Sequence, residues 1–258
     1  MKKTFLLILL TIGFTKVVFG QIYTPENPET RENFVEKIKK AHRFERFHAQ
    51  EAVTFDMEIK WGNDAPQTLT LTTLTNSGKI KLQYSDGKTV IFDGQKTWLS
   101  STDITYKRAR FDIFTYHYFF MFPFKVNDNG TNWQILSGKT LDNNDYARGK
   151  LSFKKGTGDS ADDWYIVHRN KITDFVDGLA YIVTYIEPQN TAEKHINGIT
   201  YHDVKPIDGV MIATKWKFWQ WTEDKGFYNL KGTINIKNIR FIKTNNETFA
   251  VPKGSILL

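Results

Sequence analysis

The sequence predicts one antiparallel α+β domain with a large sheet. Three observations carry this: period-two alternation of apolar and polar residues recurs along most of the chain, glycine- and asparagine-rich turns punctuate it, and only two segments show helical periodicity. A count of about ten or eleven short strands gives a sheet large enough to curl strongly. The chain has 258 residues, 40% hydrophobic and 24% charged. That composition is globular and long enough to bury a full core.

The first twenty residues read as a separate unit. Lys2 and Lys3 precede the apolar run Phe5 to Phe14, and Val18-Phe19-Gly20 stands before Gln21. A basic start, a short apolar stretch and a modest cleavage site describe a secretory signal peptide over residues 1–20, leaving 21–258 as a single domain. The apolar run is about half the ~20 residues that span a bilayer, and Lys16 interrupts it. The formal charge of +7 falls to +4 without this segment. Such a charge is ordinary for solubility and gives no electrostatic stripe for nucleic acid, so nucleic acid is excluded as a partner. The chain has no cysteine. Disulfide scaffolds, cysteine nucleophiles, thiolate zinc sites and a lipid-modified N-terminal cysteine are therefore excluded.

Asn27-Pro28-Glu29 reads as a helix start, with a capping side chain, a proline at the first position and an acid by the positive dipole end. Phe34, Ile38, Ala41 and Phe44 then mark one apolar face running to about Phe47. From Ala52 the period is two. Val53, Phe55, Met57, Ile59 and Trp61 share one strand face; Leu69 and Leu71, then Ile80, Leu82 and Tyr84, continue the pattern. Thr89 to Phe92 and Lys96 to Leu99 complete a meander of short strands.

Arg108 to Val126 interrupts the alternation. Phe111, Phe114, Tyr118 and Phe122 fall on one helical face, while Tyr116, Phe119 and Phe120 fall on another. Pro123 is expected to end or kink this helix. A helix aromatic on several sides is covered on several sides or lines a space. Strands resume at Asn132 to Leu136, Tyr146 to Phe153, Trp164 to Arg169, Ala180 to Glu187, Ile199 to Val204, Val210 to Thr222 and Gly232 to Ile242. In the last, Ile234 and Ile236 share one parity and Ile239 and Phe241 the other, which predicts a β-bulge near Asn238.

The layout resembles the LolA/LolB-type lipoprotein-carrier superfamily. The residues that carry the resemblance are the leader followed directly by an amphipathic helix and a meander, and the turn-strand-turn-strand segment Ser85-Asp86-Gly87 to Trp98-Leu99. The aromatic helix, Tyr201-His202-Asp203 with Asp208-Gly209-Val210, and the closing Phe249-Ala250-Val251-Pro252 add to it. The resemblance implies an unclosed half-barrel with the N-terminal and central helices across its concave face. It also implies non-covalent binding of an acyl chain or other lipophilic molecule in the cell envelope, in the periplasm or after secretion, with an outer-membrane or envelope partner.

On the residues themselves, Trp98, Phe111, Phe114, Tyr118, Phe119, Phe122, Trp216 and Phe218 are the candidate lining of an apolar cavity. The alternative is that they fill the core between helix and sheet. Arg108 and Arg110, with Lys107 before them, are candidates for contact with an anionic head group, or else solvated surface. Trp219 and Trp221 share parity with Lys215 and Lys217, which raises the alternative of an envelope polysaccharide or protein-partner module, unless the buried face of that strand changes at a bulge.

No catalytic residue emerges. Gly156-Thr157-Gly158-Asp159-Ser160 lacks the serine-between-glycines order of a nucleophile elbow. The acidic pairs Asp162-Asp163 and Glu223-Asp224 are sequence neighbours whose side chains diverge. No histidine pair has the spacing of a zinc-hydrolase helix. A hydrolase is the least favoured reading, and neither cofactor nor metal is expected.

Overall fold

A computed structural model describes residues 29–100, 108–158 and 160–258. The expected signal peptide, Asn27-Pro28 and Lys107 lie outside the described residues.

Two short helices come first, α1 (Arg31–His42) and α2 (Phe44–His48), followed by β1 (Ala52–Trp61), β2 (Gln67–Leu74), β3 (Ile80–Tyr84), β4 (Thr89–Phe92) and β5 (Thr97–Leu99). The aromatic helix α3 (Ala109–Lys125) precedes β6 (Thr131–Leu141), β7 (Asn144–Phe153), β8 (Tyr165–Asn170) and β9 (Val176–Tyr181). A single turn, α4 (Gln189–Ala192), leads to β10 (Asn197–Ile207), β11 (Val210–Thr222), β12 (Gly226–Ile242) and β13 (Ile256–Leu257). All thirteen strands form one sheet in the order β13-β5-β4-β3-β2-β1-β12-β11-β10-β9-β8-β7-β6. Every neighbouring pair is antiparallel. The two outer strands do not pair, so the sheet is curved but unclosed. The count exceeds the expected ten or eleven partly because Ile256 and Leu257 return to pair with Leu99 and Trp98.

Helix α1 begins later than Asn27-Pro28-Glu29 suggests. Thr30 caps it, its Oγ1 accepting from the Asn33 amide at 3.1 Å. Glu29 serves instead as a partner of Arg169, which is buried on β8, pairs with Asp174, and stands 5.3 Å from the Phe34 ring. The expected helix to Phe47 is two helices, because Arg43 takes a left-handed conformation at φ 61°. That turn redirects Phe47 under α3, where it stacks on Phe124 at 3.8 Å. The ninth strand also differs from the expected Ala180 to Glu187. It spans Val176–Tyr181, after which the Thr184 amide and hydroxyl both bond to Asp163 Oδ1 and draw the chain away from the sheet.

The bulge near Asn238 is present. Thr54 pairs with Arg240 but Asp56 with Lys237, so β12 holds one extra residue there. Asn238 has φ 53° and its side chain donates to Asp56 Oδ2 at 2.7 Å.

The concave face carries the core, and α3 lies on it. Phe120 stacks on Phe55 at 4.0 Å, and Phe119 sits between Tyr181 (5.0 Å) and Phe218 (5.7 Å). Pro123 neither ends the helix nor stops it before Lys125. Proline has no N–H for the carbonyl four residues back, which is that of Phe119. The Tyr201 hydroxyl on β10 donates to that carbonyl at 3.0 Å and is buried with it. A sheet residue thus supplies the donor the helix lacks.

The convex face has a smaller cluster under the tip of the β11–β12 hairpin. Phe227 lies over Gly198 and Gly178, where an added Cβ would approach its ring to 2.6 and 2.8 Å. It covers His168 at 5.2 Å, with Trp221 beside it. At the tip, Glu223 accepts from Arg148 on β7 at 2.8 Å and also meets Lys139 on β6. Three strands separate β11 from β7 in the sheet.

Replacing Tyr201 with Phe keeps the ring but leaves the Phe119 carbonyl buried without that donor. The expected cost is about 1–3 kcal/mol, read as a lower urea midpoint with unchanged m.

Candidate functional site

A cleft of about 1300 Å³ surrounds the N-terminal half of α3. It follows from the sequence of this helix: aromatic side chains point in several directions, and while Ala109, Ile113 and the stretch Phe119 to Phe124 are buried in the core, Phe111, Phe114 and Tyr118 are only partly covered. On one flank Phe114 meets Phe92 on β4 at 5.3 Å. On the other, Phe111 meets Tyr185 of the β9–α4 segment at 5.5 Å. Behind the helix, Trp61 on β1 packs against Phe218 at 4.8 Å.

The structure separates the candidate residues into two groups. Phe111, Phe114, Tyr118, Phe119 and Phe218 line the cleft, as do Arg108 and Arg110. Arg108 stands 5.3 Å from the Phe111 ring and Arg110 5.1 Å from Phe114. The Arg110 guanidinium also donates to Thr97 at 2.7 Å. Phe122 and Trp216 are not in the wall; each is 1% exposed and fills the core. Phe122 packs on Tyr165, and Trp216 on Tyr201. Trp98 lies on the opposite face of the sheet. Its neighbour Leu99 points into the core, so strand alternation turns Trp98 outward, where it donates to Asp93 at 2.7 Å.

Trp221 lies under Phe227 and is 4% exposed, while Trp219 donates to Thr200 at 2.8 Å. The β11–β12 register shifts on both sides of Trp219. These two tryptophans do not form an open aromatic platform.

Several lining residues do not follow from helical periodicity. Trp61, Phe92, Phe153, Tyr165, Tyr181 and Val183 come from strand ends or the segment after β9. Strand parity identifies Trp61, which shares the face of Phe55 and Ile59. Tyr165 and Tyr181 become neighbours only through the β8–β9 register.

Burial pushes several titratable groups of the wall toward their neutral forms. His117, with an unpartnered Nε2, is lowered to about 3 by desolvation and by Lys125. Desolvation raises Asp112 to about 6, opposed by Arg108 and by a hydrogen bond from Tyr84. Asp163 is raised by burial, and burial raises Tyr116, Tyr118, Tyr165 and Tyr181. Among the described residues no group of three His, Asp or Glu side chains is placed to hold a metal ion. No helix among them is long and apolar enough to cross a membrane.

An unclosed antiparallel half-barrel with an aromatic helix across its concave face defines the class of protein. Solved structures share this fold. It is similar to a LolA superfamily protein from Nitrosomonas europaea at TM-score 0.57 and 11% identity, over 86% of this chain and 98% of the other. A structure described as an outer membrane lipoprotein-sorting protein domain from Vibrio parahaemolyticus matches at TM-score 0.50 and 12% identity, over 84% and 96%. At these identities the likeness is one of fold. No family model matches the sequence, and no curated protein does.

Two outcomes test this description of the wall. Phe119→Ala opens a gap between Tyr181 and Phe218 and is expected to cost about 3–5 kcal/mol, whereas Ile186→Ser at the rim changes stability by no more than about 0.5 kcal/mol. Equilibrium denaturation compares them. Acid provides the second. His42 bridges the Met211 carbonyl and the Val176 amide, both at 3.2 Å, and is lowered to about 4; His168 is also lowered to about 4. Their ordinary value is 6.5, so between that pH and about 4 the unfolded chain binds more protons. Stability is fully present above pH 6.5 and falls as pH drops toward 4. Asp112, Asp163 and Asp177, all raised by burial, act in the opposite sense above their ordinary value of 3.8, against the four lowered histidines His42, His117, His168 and His202. Urea midpoints measured across this range are expected to decline steadily with acid.

Proposed function

We propose that this is an exported, non-enzymatic binding protein that holds a lipophilic molecule, an acyl chain or lipid, in the cleft around α3. The observation that carries the reading is the cleft itself, about 1300 Å³ with aromatic side chains on each flank of the helix. Small-molecule pockets span ~300–1,000 Å³, so this one has room for a long chain. Each methylene withdrawn from water contributes roughly 0.8 kcal/mol. Arg108 and Arg110, each over an aromatic ring at the start of α3, would meet an anionic head group. The half-barrel fold shared with a LolA superfamily protein supports the reading. So does the leader-like N-terminus, which points to a soluble periplasmic or secreted chain after cleavage. An envelope or outer-membrane partner would deliver or receive the ligand. The polysaccharide reading loses its basis once Trp221 is covered and Trp219 half-buried.

Native mass spectrometry followed by organic extraction is expected to find lipid at defined stoichiometry. A fluorescent fatty-acid probe is expected to bind saturably, with affinity at least tenfold weaker in Phe114→Asp, which places a charge opposite Phe92. Lipid-free protein that also ignores the probe would sink the proposal.

A further inference from the structure

The lining is not uniformly apolar. Tyr118 on α3, Tyr165 on β8 and Tyr181 on β9 form a continuous row, with centroids 5.2 Å apart for the first pair and 5.9 Å for the second. All three line the cleft, and Tyr165 and Tyr181 are only 7% and 8% exposed. Register fixes the row, since Tyr165 and Tyr181 are direct cross-strand partners. Their hydroxyls make no hydrogen bond to any other described residue. Tyr201, which is deeper, shows the contrast: its hydroxyl is spent on the Phe119 carbonyl.

Hydroxyls that open on a cleft are satisfied by solvent, and a ligand that displaces it without accepting from them leaves them unpaired at a cost. Burial keeps these phenols protonated, so each offers an O–H donor at any physiological pH. The nearby carboxyl of Asp163 is occupied through Oδ1 by the Thr184 amide and hydroxyl, both at 2.7 Å. A bare hydrocarbon would seal three donors against apolar surface. A charged group would lose its hydration at the same place. An uncharged carbonyl oxygen, with two lone pairs, accepts from two of the three donors without either cost.

The geometry points to the Tyr118–Tyr165–Tyr181 row as a recognition site for an acyl carbonyl, the ester or amide oxygen of a lipophilic ligand. This rests on the proposed function and narrows its ligand class. Tyr118 lies ten residues beyond Arg108 on α3, roughly 15 Å along the axis, so the row reads a different part of the ligand from the arginines.

The test is competition for a bound apolar probe, N-phenyl-1-naphthylamine, by methyl laurate and by the size-matched hydrocarbon tridecane. Wild type is expected to prefer the ester by about tenfold, the effect of one or two net hydrogen bonds. Tyr165→Phe/Tyr181→Phe keeps both rings, and the variant is expected to lose the preference while tridecane competes as before. Tyr118→Phe, at the more open end, gives a smaller loss and covers the case in which the double variant does not fold. Equal potency of ester and hydrocarbon on wild type overturns the inference, as does an ester preference that survives all three substitutions. In both of those outcomes the lipophilic reading stands, because the probe is displaced. Failure of the probe to bind removes both. A diacylglycerol and a diacylated cysteine peptide, run as further competitors, distinguish a glycerolipid from a lipid-modified protein as the source of the carbonyl. Displacement by either supports the inference, and displacement by neither counts against it.

Discussion

An open sheet this large needs something to cover its concave side, and one hydrogen bond decides whether α3 can do so. The helix must run unbroken from Ala109 to Lys125 to bring Phe120 onto Phe55 and Phe124 onto Phe47. Pro123 removes a rung from that run, and Tyr201 replaces it from the sheet. The same bond therefore joins helix continuity to helix docking. The second half of α3 is the anchor. The first half buries Ala109 and Ile113 but leaves Phe111 and Phe114 partly covered, and the space beside them is the cleft.

Most of the sheet was legible because a half-buried antiparallel strand writes its orientation into alternating residues. Val53 to Trp61 and Val210 to Phe218 show this, and the parity change at Asn238 located a real bulge. Failures have local causes. Arg43 breaks the first helix in a left-handed conformation that no glycine announces. The strand expected at Ala180 to Glu187 ends at Tyr181, beyond which Thr184 donates to the Asp163 carboxylate, a contact invisible to periodicity. Aromatic content alone did not separate lining from filling: Phe122 and Trp216 share a residue class with Phe114 and Phe218, yet lie in solid core. Trp98 was readable, since a residue adjacent to inward Leu99 on a strand must face away. The tyrosine row was not, because it depends on a register between two strands joined through the turn at Asn170 to Phe175.

The chemistry of the cleft follows from its burial. The phenols are held protonated, His117 is held neutral, and the carboxyls of Asp112 and Asp163 titrate above their ordinary range. Fixed positive charge is contributed near the start of α3, by arginines whose guanidinium groups rest on aromatic faces. A wall of this kind discriminates by shape and by a few directed donors rather than by a strong field. That also fits the absence of any cysteine, since stability depends on aromatic packing around the helix rather than on covalent ties.

The hairpin tip on the convex side gives the sheet a mechanical property. Glu223 grips Arg148 across three intervening strands and Lys139 across four, as a bowstring joins two points on a bow, though here the string runs along the outer curve. Phe227, seated over Gly178 and Gly198, presses on the strands between these points. Tyr181, on the strand that carries Gly178, faces the cleft from the other side of the same backbone. The spacing between the walls of the cleft is thus set partly from behind, by an ion pair that no ligand inside would touch.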